Sequence, residues 1–281
     1  MFSLICFGTV SLVTSDLSGK AADFLALHVP GRPVLQPNAF DAGSARILET
    51  LGFGAVATTS SGFAATLGRS DGKVTRDEVI AHCLAITRAV DIPVSADTEN
   101  GYADSPADVA ETVRLASETG LAGCSVEDWS GTEIYDAGLA AERVAAAVEA
   151  AHSSASQLVL TARAENLLHG GDLGDAIKRL QAYQDAGADV LFMPGLRSAE
   201  DIRTVISSVD RPVNVLVVPG CPSIAEIADL GAARISVGGS FAWVAYAALI
   251  DAASELRDAG TYAYAKSLAP AREIIAKSLQ P

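Results

Sequence analysis

From about residue 30 onward the chain alternates two patterns. Stretches with apolar positions three and four residues apart are followed by a glycine or proline and then by a short run rich in valine and isoleucine. The first spacing is that of an amphipathic helix, and the second composition is that of a strand buried on both faces. Four helix ends carry the glycine: ETLGFGAVATTSS at Gly52, ETGLAGCSVED at Gly120, DAGADVLFMP at Gly187 and DLGAARISVGG at Gly231. Glycine just past a helix takes the left-handed cap conformation that a Cβ resists. Three strands open on proline instead, at Pro33, Pro93 and Pro212, where a missing ladder donor is tolerated. With QLVLTARAE this gives eight strands, near residues 34, 55, 93, 123, 158, 189, 213 and 234. Between them, Thr75 and Glu78 form a capping box ahead of a helix with Val79, Cys83, Ile86 and Val90 on one face. Ser105, Pro106 and Asp108 then start a helix that presents Val109, Val113 and Ala116.

Strands alternating with helices predict a parallel sheet covered on both faces, and eight such units predict a closed (β/α)8 TIM barrel. An open doubly wound sheet is the alternative, but no G-x-G-x-x-G turn follows the first strand. Residues 20–281 are expected to form one domain, with an extra N-terminal helix before the barrel and two C-terminal helices over 240–281. FAWVAYAALIDAA within that tail is apolar around most of its circumference, so it is expected to pack on a neighbouring subunit. Residues 1–19 read as an extension that is disordered or not native. They lack the basic start and cleavage site of a secretory signal and are too short to span a bilayer.

Composition narrows the function classes. Apolar residues make up 49% and charged ones 19% of the 281, enough for a sizeable core. A formal charge of −14 repels a phosphate backbone, so nucleic acid is not an expected partner, and no membrane partner is expected either. Cys6, Cys83, Cys124 and Cys221 form neither a C-x-x-C pair nor a zinc spacing, which suits reduced thiols in a cytoplasmic protein. Cys83 falls on the core face of its helix.

The chemistry concentrates where strands end. The third strand, VSADTENGYA, closes on Asp97 and Glu99, and the fourth, GCSVEDWSG, closes on Glu127 and Asp128. Asp71 lies in the loop after the second strand, and TARAEN ends the fifth with Arg163 and Glu165. In a barrel these positions meet at the C-terminal mouth, where active sites are built. Acids from successive loops suit a hard cation such as Mg²⁺, which keeps several waters, and an adjacent arginine suits a substrate carboxylate. The bland reading is that such acids cap helices or pair with nearby bases. Asp128 is expected to be structural, because adjacent strand residues point to opposite faces. Thr59, Ser60 and Ser61 in TTSSG either shape a turn or offer backbone N–H groups to an anion.

DTENGYA is similar to the D-x-D-x-G-Y-G signature of the isocitrate lyase and phosphoenolpyruvate mutase superfamily. The resemblance runs from about residue 22 to 260 through PNAFDAGSARILETLGFGAVATTSSG, SVED, TARAEN, LFMPG and PVNVLV in order. It implies an (α/β)8 barrel that binds Mg²⁺, with Mn²⁺ able to substitute, and acts on 2-oxo or 2-hydroxy acids as a homodimer or homotetramer that exchanges C-terminal helices. By motif, Asp97 would ligate the metal directly, and Glu99, Glu127 and Asp71 would hold metal-bound waters. Arg163 would clasp the substrate carboxylate, and Thr59, Ser60 and Ser61 would cradle its other end. Asp97, Arg163 and Glu127 would thus form the catalytic set.

Two departures shape the expected activity. Glu99 stands where the superfamily usually has aspartate. WSGTEIYDAG follows the fourth strand in place of the K-K-C-G-H loop of isocitrate and methylisocitrate lyases, and it lacks the lysine and asparagine of the mutase gating loop. The expectation is a Mg²⁺-dependent lyase that cleaves or decarboxylates a small 2-oxo or 2-hydroxy acid through a stabilised enolate. Glu133, Tyr135 and His169 are the nearest candidates for a general acid or base. The alternatives are carbon–phosphorus chemistry of the mutase or phosphonopyruvate hydrolase kind and a non-catalytic 2-oxo acid-binding protein.

Overall fold

The computed structural model describes residues 19–280; of the extension expected over 1–19, residues 1–18 lie outside them, and Gly19 opens a helix instead. Nine strands are present where eight were expected. β1 (Val34–Gln36) and β2 (Asn38–Ala39) are halves of a single stave broken at Pro37. There follow β3 (Val56–Thr58), β4 (Val94–Asp97), β5 (Gly123–Glu127), β6 (Val159–Arg163), β7 (Val190–Phe192), β8 (Val213–Leu216) and β9 (Arg234–Ser236). Every pairing between these strands is parallel, and neighbours run in order from β3 to β9. The broken stave completes the ring: β1 pairs with β9, placing Val34 opposite Arg234, while β2 pairs with β3, placing Asn38 opposite Ala57. Proline explains the break, because Pro37 has no N–H to donate, although its carbonyl still accepts from Ala57 N at 2.9 Å.

The helices are α1 (Gly19–Ala26), α2 (Ala42–Thr50), α3 (Ser60–Thr66), α4 (Arg76–Thr87), α5 (Pro106–Ser117), α6 (Ala137–Ser153), α7 (Leu173–Asp185), α8 (Ala199–Ser207), α9 (Ile224–Asp229), α10 (Ser240–Ser254) and α11 (Ala265–Ser278). Their local signals operate as expected. Thr75 and Glu78 cap one another at the start of α4, and Ser105 Oγ accepts from Asp108 N at the start of α5. Val79, Cys83, Ile86, Val90, Val109, Val113 and Ala116 are all buried. Gly52, Gly120, Gly187 and Gly231 have φ of 89, 83, 100 and 97°. The described cysteines are free, and burial pushes the Cys83 and Cys124 thiols up to about 12.

α1 closes the N-terminal end of the barrel. Its Phe24 and Ala21 pack with Ala55, Ala122, Val159 and Val190, residues at or just before the starts of four strands. A Cβ at Gly123 would lie 3.0 Å from the Phe24 ring and 2.7 Å from Val159 O, so only glycine admits this plug. The last turn of the segment carries His28, which is 5% exposed and bonds Phe24 O through Nδ1 at 3.0 Å. Burial, followed by the charge of Arg234, pushes its pKa down to about 3. The unfolded chain therefore takes up a proton near pH 6.5 that folded His28 refuses, and this contribution to stability is complete above 6.5 and shrinks as pH falls toward 3. Between pH 6 and 4, urea unfolding of the wild type should lose about 1.4 kcal/mol per pH unit relative to His28→Gln. Parallel curves for the two proteins would contradict this.

At the C-terminus, α11 lies against α2, where Arg46 Nη1 donates to Gln280 O at 3.1 Å. α10 buries only Ala242 and leaves Phe241, Trp243, Val244, Leu249 and Ile250 exposed. No helix among the described residues is long and apolar enough to cross a membrane.

Candidate active site

The strand β4 ends on Asp97 because its apolar run stops at the barrel mouth, and the chain then turns sharply. Glu99 and Tyr102 have φ of 47 and 57°, a left-handed conformation that non-glycine residues seldom take, and Gly101 between them has φ of 75°. Two hydrogen bonds and one steric constraint hold this strained turn. Glu127 N donates to Glu99 O at 3.0 Å, Tyr102 OH donates to Glu99 Oε1 at 2.9 Å, and Gly101 sits where a Cβ would press on Val109 at 3.0 Å. The turn aims the Glu99 carboxylate back over Asp97.

Around this turn the predicted residues converge. A cavity of about 510 Å³ at the mouth is lined by Ser60, Asp71, Glu99, Glu127, Arg163 and Glu165, with Lys73 at its rim. At its base Arg163 Nη1 meets Asp97 Oδ1 at 2.8 Å, and Nη2 meets Glu127 Oε2 at 3.1 Å and Glu165 Oε1 at 2.8 Å. The Phe192 ring backs the guanidinium at 5.1 Å. Burial disfavours the arginine's charge, but Glu165, Glu127 and Asp97 together hold its pKa above the ordinary value.

The acids outnumber the cation, and their ionisation shows it. Burial and then Asp97 push Glu99 up to about 7. Burial pushes Glu127 well above the ordinary carboxylate range against the pull of Arg163, and Asp71 is raised by partial burial and by Asp97 although Ser60 donates to it. A divalent cation among these oxygens would relieve the repulsion. Among the described residues no three Asp, Glu, His or Cys side chains gather closely enough to hold an ion directly between them. The all-oxygen set thus fits a small hard cation bound by one carboxylate and otherwise through its waters, as Mg²⁺ commonly is.

Of the TTSSG residues the structure brings one into the cavity. Ser60 lines it and donates its N–H to Asp97 Oδ2 at 3.2 Å. Thr59 instead caps α3 through Gly62 N, and its hydroxyl lies 3.2 Å from that of Ser61, so neither hydroxyl faces the mouth. Of the three acid–base candidates only His169 lines the cavity, stacked on Trp129 with ring centres 3.5 Å apart. The Tyr135 hydroxyl donates to Asp104 at 2.5 Å and accepts from Asn100 at 3.1 Å, and Glu133 is exposed in the turn that Ser130 and Thr132 stabilise. The WSGTEIYD loop is thus a short bridged turn, with Trp129 paired to Ile134.

Glu165, Tyr102 and Trp129 were not assigned roles from sequence. Glu165 and Tyr102 stand inside the TARAEN and DTENGYA motifs, which was the available signal. The Trp129–His169 stack joins loops 40 residues apart and left none. Asp128 is structural, as its strand position suggests. It is 2% exposed and accepts from Glu165 N at 2.7 Å, Tyr183 OH at 2.5 Å and Arg179 Nη1 at 3.2 Å. Asp128→Ala strands these donors, and urea unfolding should show a loss of about 3–5 kcal/mol. A loss below about 1 kcal/mol would mean that water replaces the carboxylate.

The chain is similar to known proteins in sequence and fold. The family model for phosphoenolpyruvate phosphomutase matches residues 24–257. A candidate lyase/mutase from Burkholderia cenocepacia J2315 has a crystal structure that superposes with TM-score 0.89 at 46% identity, covering 93% of this chain and 96% of that one. The crystal structure of 2,3-dimethylmalate lyase, a member of the phosphoenolpyruvate mutase/isocitrate lyase superfamily, gives TM-score 0.82 at 30% identity over 93% and 95% of the two chains. The oxaloacetate decarboxylase of Chromohalobacter salexigens is 28% identical over 251 residues, 84% of this chain and 85% of that one. With the ring of strands, the strained acidic turn and the arginine at the mouth, these matches establish that the chain belongs to the phosphoenolpyruvate phosphomutase family, within the superfamily that includes the isocitrate lyases.

Proposed function

We propose that this protein is a Mg²⁺-dependent lyase that decarboxylates or cleaves a small 2-oxo or 2-hydroxy carboxylic acid. The observation that carries the reading is Arg163 at the base of a mouth cavity, ringed by Asp97, Glu127 and Glu165 with Glu99 and Asp71 above. Asp97 would hold the ion directly, with Glu99, Glu127 and Asp71 on its waters. When bound, Mg²⁺ supplies Lewis-acid stabilisation of the negative charge that develops on the substrate's oxo oxygen. Mn²⁺ has the same charge and similar oxygen preference and would substitute.

The chain's own groups do the rest. Arg163 exchanges part of its contact with Asp97 and Glu127 for the substrate carboxylate, which its planar fork grips through two N–H groups. The Ser60 hydroxyl steadies Asp71 at the cavity wall, and its N–H steadies Asp97 just beneath. Trp129 and His169 form one wall of the cavity, and His169 would be the group to return a proton to the enolate carbon after the carbon–carbon bond breaks. Loss of carbon dioxide needs no proton donor at the bond-breaking step, which suits a site whose loop after β5 carries no acid of the lyase type. The same loop, without lysine or asparagine, disfavours carbon–phosphorus chemistry, and an unchanged phosphorus NMR spectrum with phosphonopyruvate is expected.

A panel of 2-oxo and 2-hydroxy acids that includes oxaloacetate, followed by mass spectrometry with Mg²⁺ and then with chelator, tests the reading. Release of carbon dioxide or pyruvate that stops on chelation is expected. Absence of turnover across the panel, together with ligand- and metal-dependent thermal stabilisation, would instead favour a binding protein. The reading also takes a second copy of this chain as the cover for the apolar stripe on α10. Light scattering should therefore report a dimer or tetramer, and a monomer would contradict that part.

A further inference from the structure

Below the mouth, inside the ring of strands, lies a second and smaller cavity of about 90 Å³, lined by Gln36, Asn38, Thr58, Ser95, Asn214 and Ser236 among others. Arg163 and Asp97 separate it from the mouth, since both residues line its upper end and pair with one another at 2.8 Å. Its other charged residue is Arg234, the first residue of β9, which is 4% exposed. This arginine has no carboxylate partner among the described residues. Nε donates to Asn214 Oδ1 at 3.0 Å, and Nη1 donates to Thr161 Oγ1 at 3.2 Å and faces His28 Nε2 at 3.4 Å. Because His28 Nδ1 bonds Phe24 O, its Nε2 is the unprotonated nitrogen and accepts from Arg234, so that neighbour is neutral too. No described residue accepts from Nη2.

A buried guanidinium held only by neutral acceptors is costly, because burial removes its hydration and nothing supplies the opposite charge. Burial, followed by the repulsion of Arg163, pulls its pKa down to about 9, and no acid opposes the shift. Asp97, Glu127 and Glu165 all make their contacts with Arg163, and none of them reaches Arg234. Arg234 is therefore a guanidinium without a contacting carboxylate, beside a polar cavity. The volume holds a few atoms at most, since a water takes about 30 Å³ of liquid. The hydroxyls and amides around it are donors of the kind that surround small anions, and Asp97 at the upper end disfavours any ligand of charge −2.

We propose that this interior cavity is a binding site for one small monovalent inorganic anion of halide size, held by Arg234 with Asn214 and Ser236 as neighbours. The site is separate from the mouth cavity and does not depend on the lyase reading, because its charge, its lining and its volume stand whether or not the mouth binds a 2-oxo acid. Its occupant neutralises Arg234 and thereby stabilises the closed ring.

The test uses the full chain and bromide. Crystals grown without halide and soaked in bromide should show an anomalous peak in contact with the Arg234 guanidinium. In solution, bromide at ten times its dissociation constant should raise the unfolding midpoint by about 3 °C over gluconate at the same ionic strength, since gluconate is too large to enter. Arg234→Met should abolish that difference. No anomalous peak at Arg234, or an equal bromide shift in Arg234→Met, would overturn the proposal. If Arg234→Met does not fold, the anomalous map of the wild type decides alone.

Discussion

Replacing Asp97 by alanine should abolish turnover, with kcat/KM falling by at least about 10³-fold while the barrel still folds, because on the proposed reading the substitution removes the carboxylate that would hold the cation directly. Asp97 accepts from Ser60 N, Glu99 N and Arg163 Nη1, and the first and last of these have alternatives. Arg163 keeps Glu127 and Glu165, and Ser60 N begins a helix open to the cavity. The loss should appear in kcat more than in unfolding, and isothermal titration with Mg²⁺ should show metal binding weakened in parallel. A fully active Asp97→Ala protein would remove this aspartate from the chemistry, and an unfolded one would make it a structural residue.

The second large effect concerns stability. Arg163→Met should cost about 3–5 kcal/mol at pH 8, because it leaves Asp97, Glu127 and Glu165 buried without their shared cation. The pH dependence has a definite sign. Glu127 and Glu99 already lie above their ordinary values in the fold, and loss of the guanidinium moves them further up. The folded variant then binds protons that the unfolded chain releases, so its stability rises as pH falls from about 8 toward 5. Urea unfolding at those two pH values should bring Arg163→Met closer to wild type at the lower one, and Mg²⁺ at pH 8 should recover part of the loss. A deficit that does not change with pH would mean that the packing of the side chain against Phe192, not its charge, holds the mouth together.

The sequence and the fold agree most closely where signals are local. Each of Gly52, Gly120, Gly187 and Gly231 ends a helix with positive φ, and the Thr75 and Ser105 caps form as their neighbours require. These depend on backbone sterics within a few residues, so no distant contact can overrule them. The count of strands was missed by one for a reason that is also local. Pro37 cannot donate, and the ring closes by handing the two halves of one stave to different neighbours.

The site divides along the same line. Alternation of short apolar strands with amphipathic helices was enough to place Asp97, Glu99, Glu127, Asp71 and Arg163 at one end of a barrel, because a parallel strand delivers its last residue to the same face as its neighbours. Which of those groups touch, and at what protonation, was beyond it. Arg163 meets three carboxylates from three strands or their following loops, Thr59 turns its hydroxyl into a helix cap with that of Ser61 beside it, and Trp129 meets His169 across two loops. Arg234 belongs here as well, since a single arginine in AARISVGG gives no sign that the ring will close around it with no carboxylate in contact. Periodicity and capping are set by neighbours in the chain, whereas charge balance is set by neighbours in space, and only the closed barrel decides who those are.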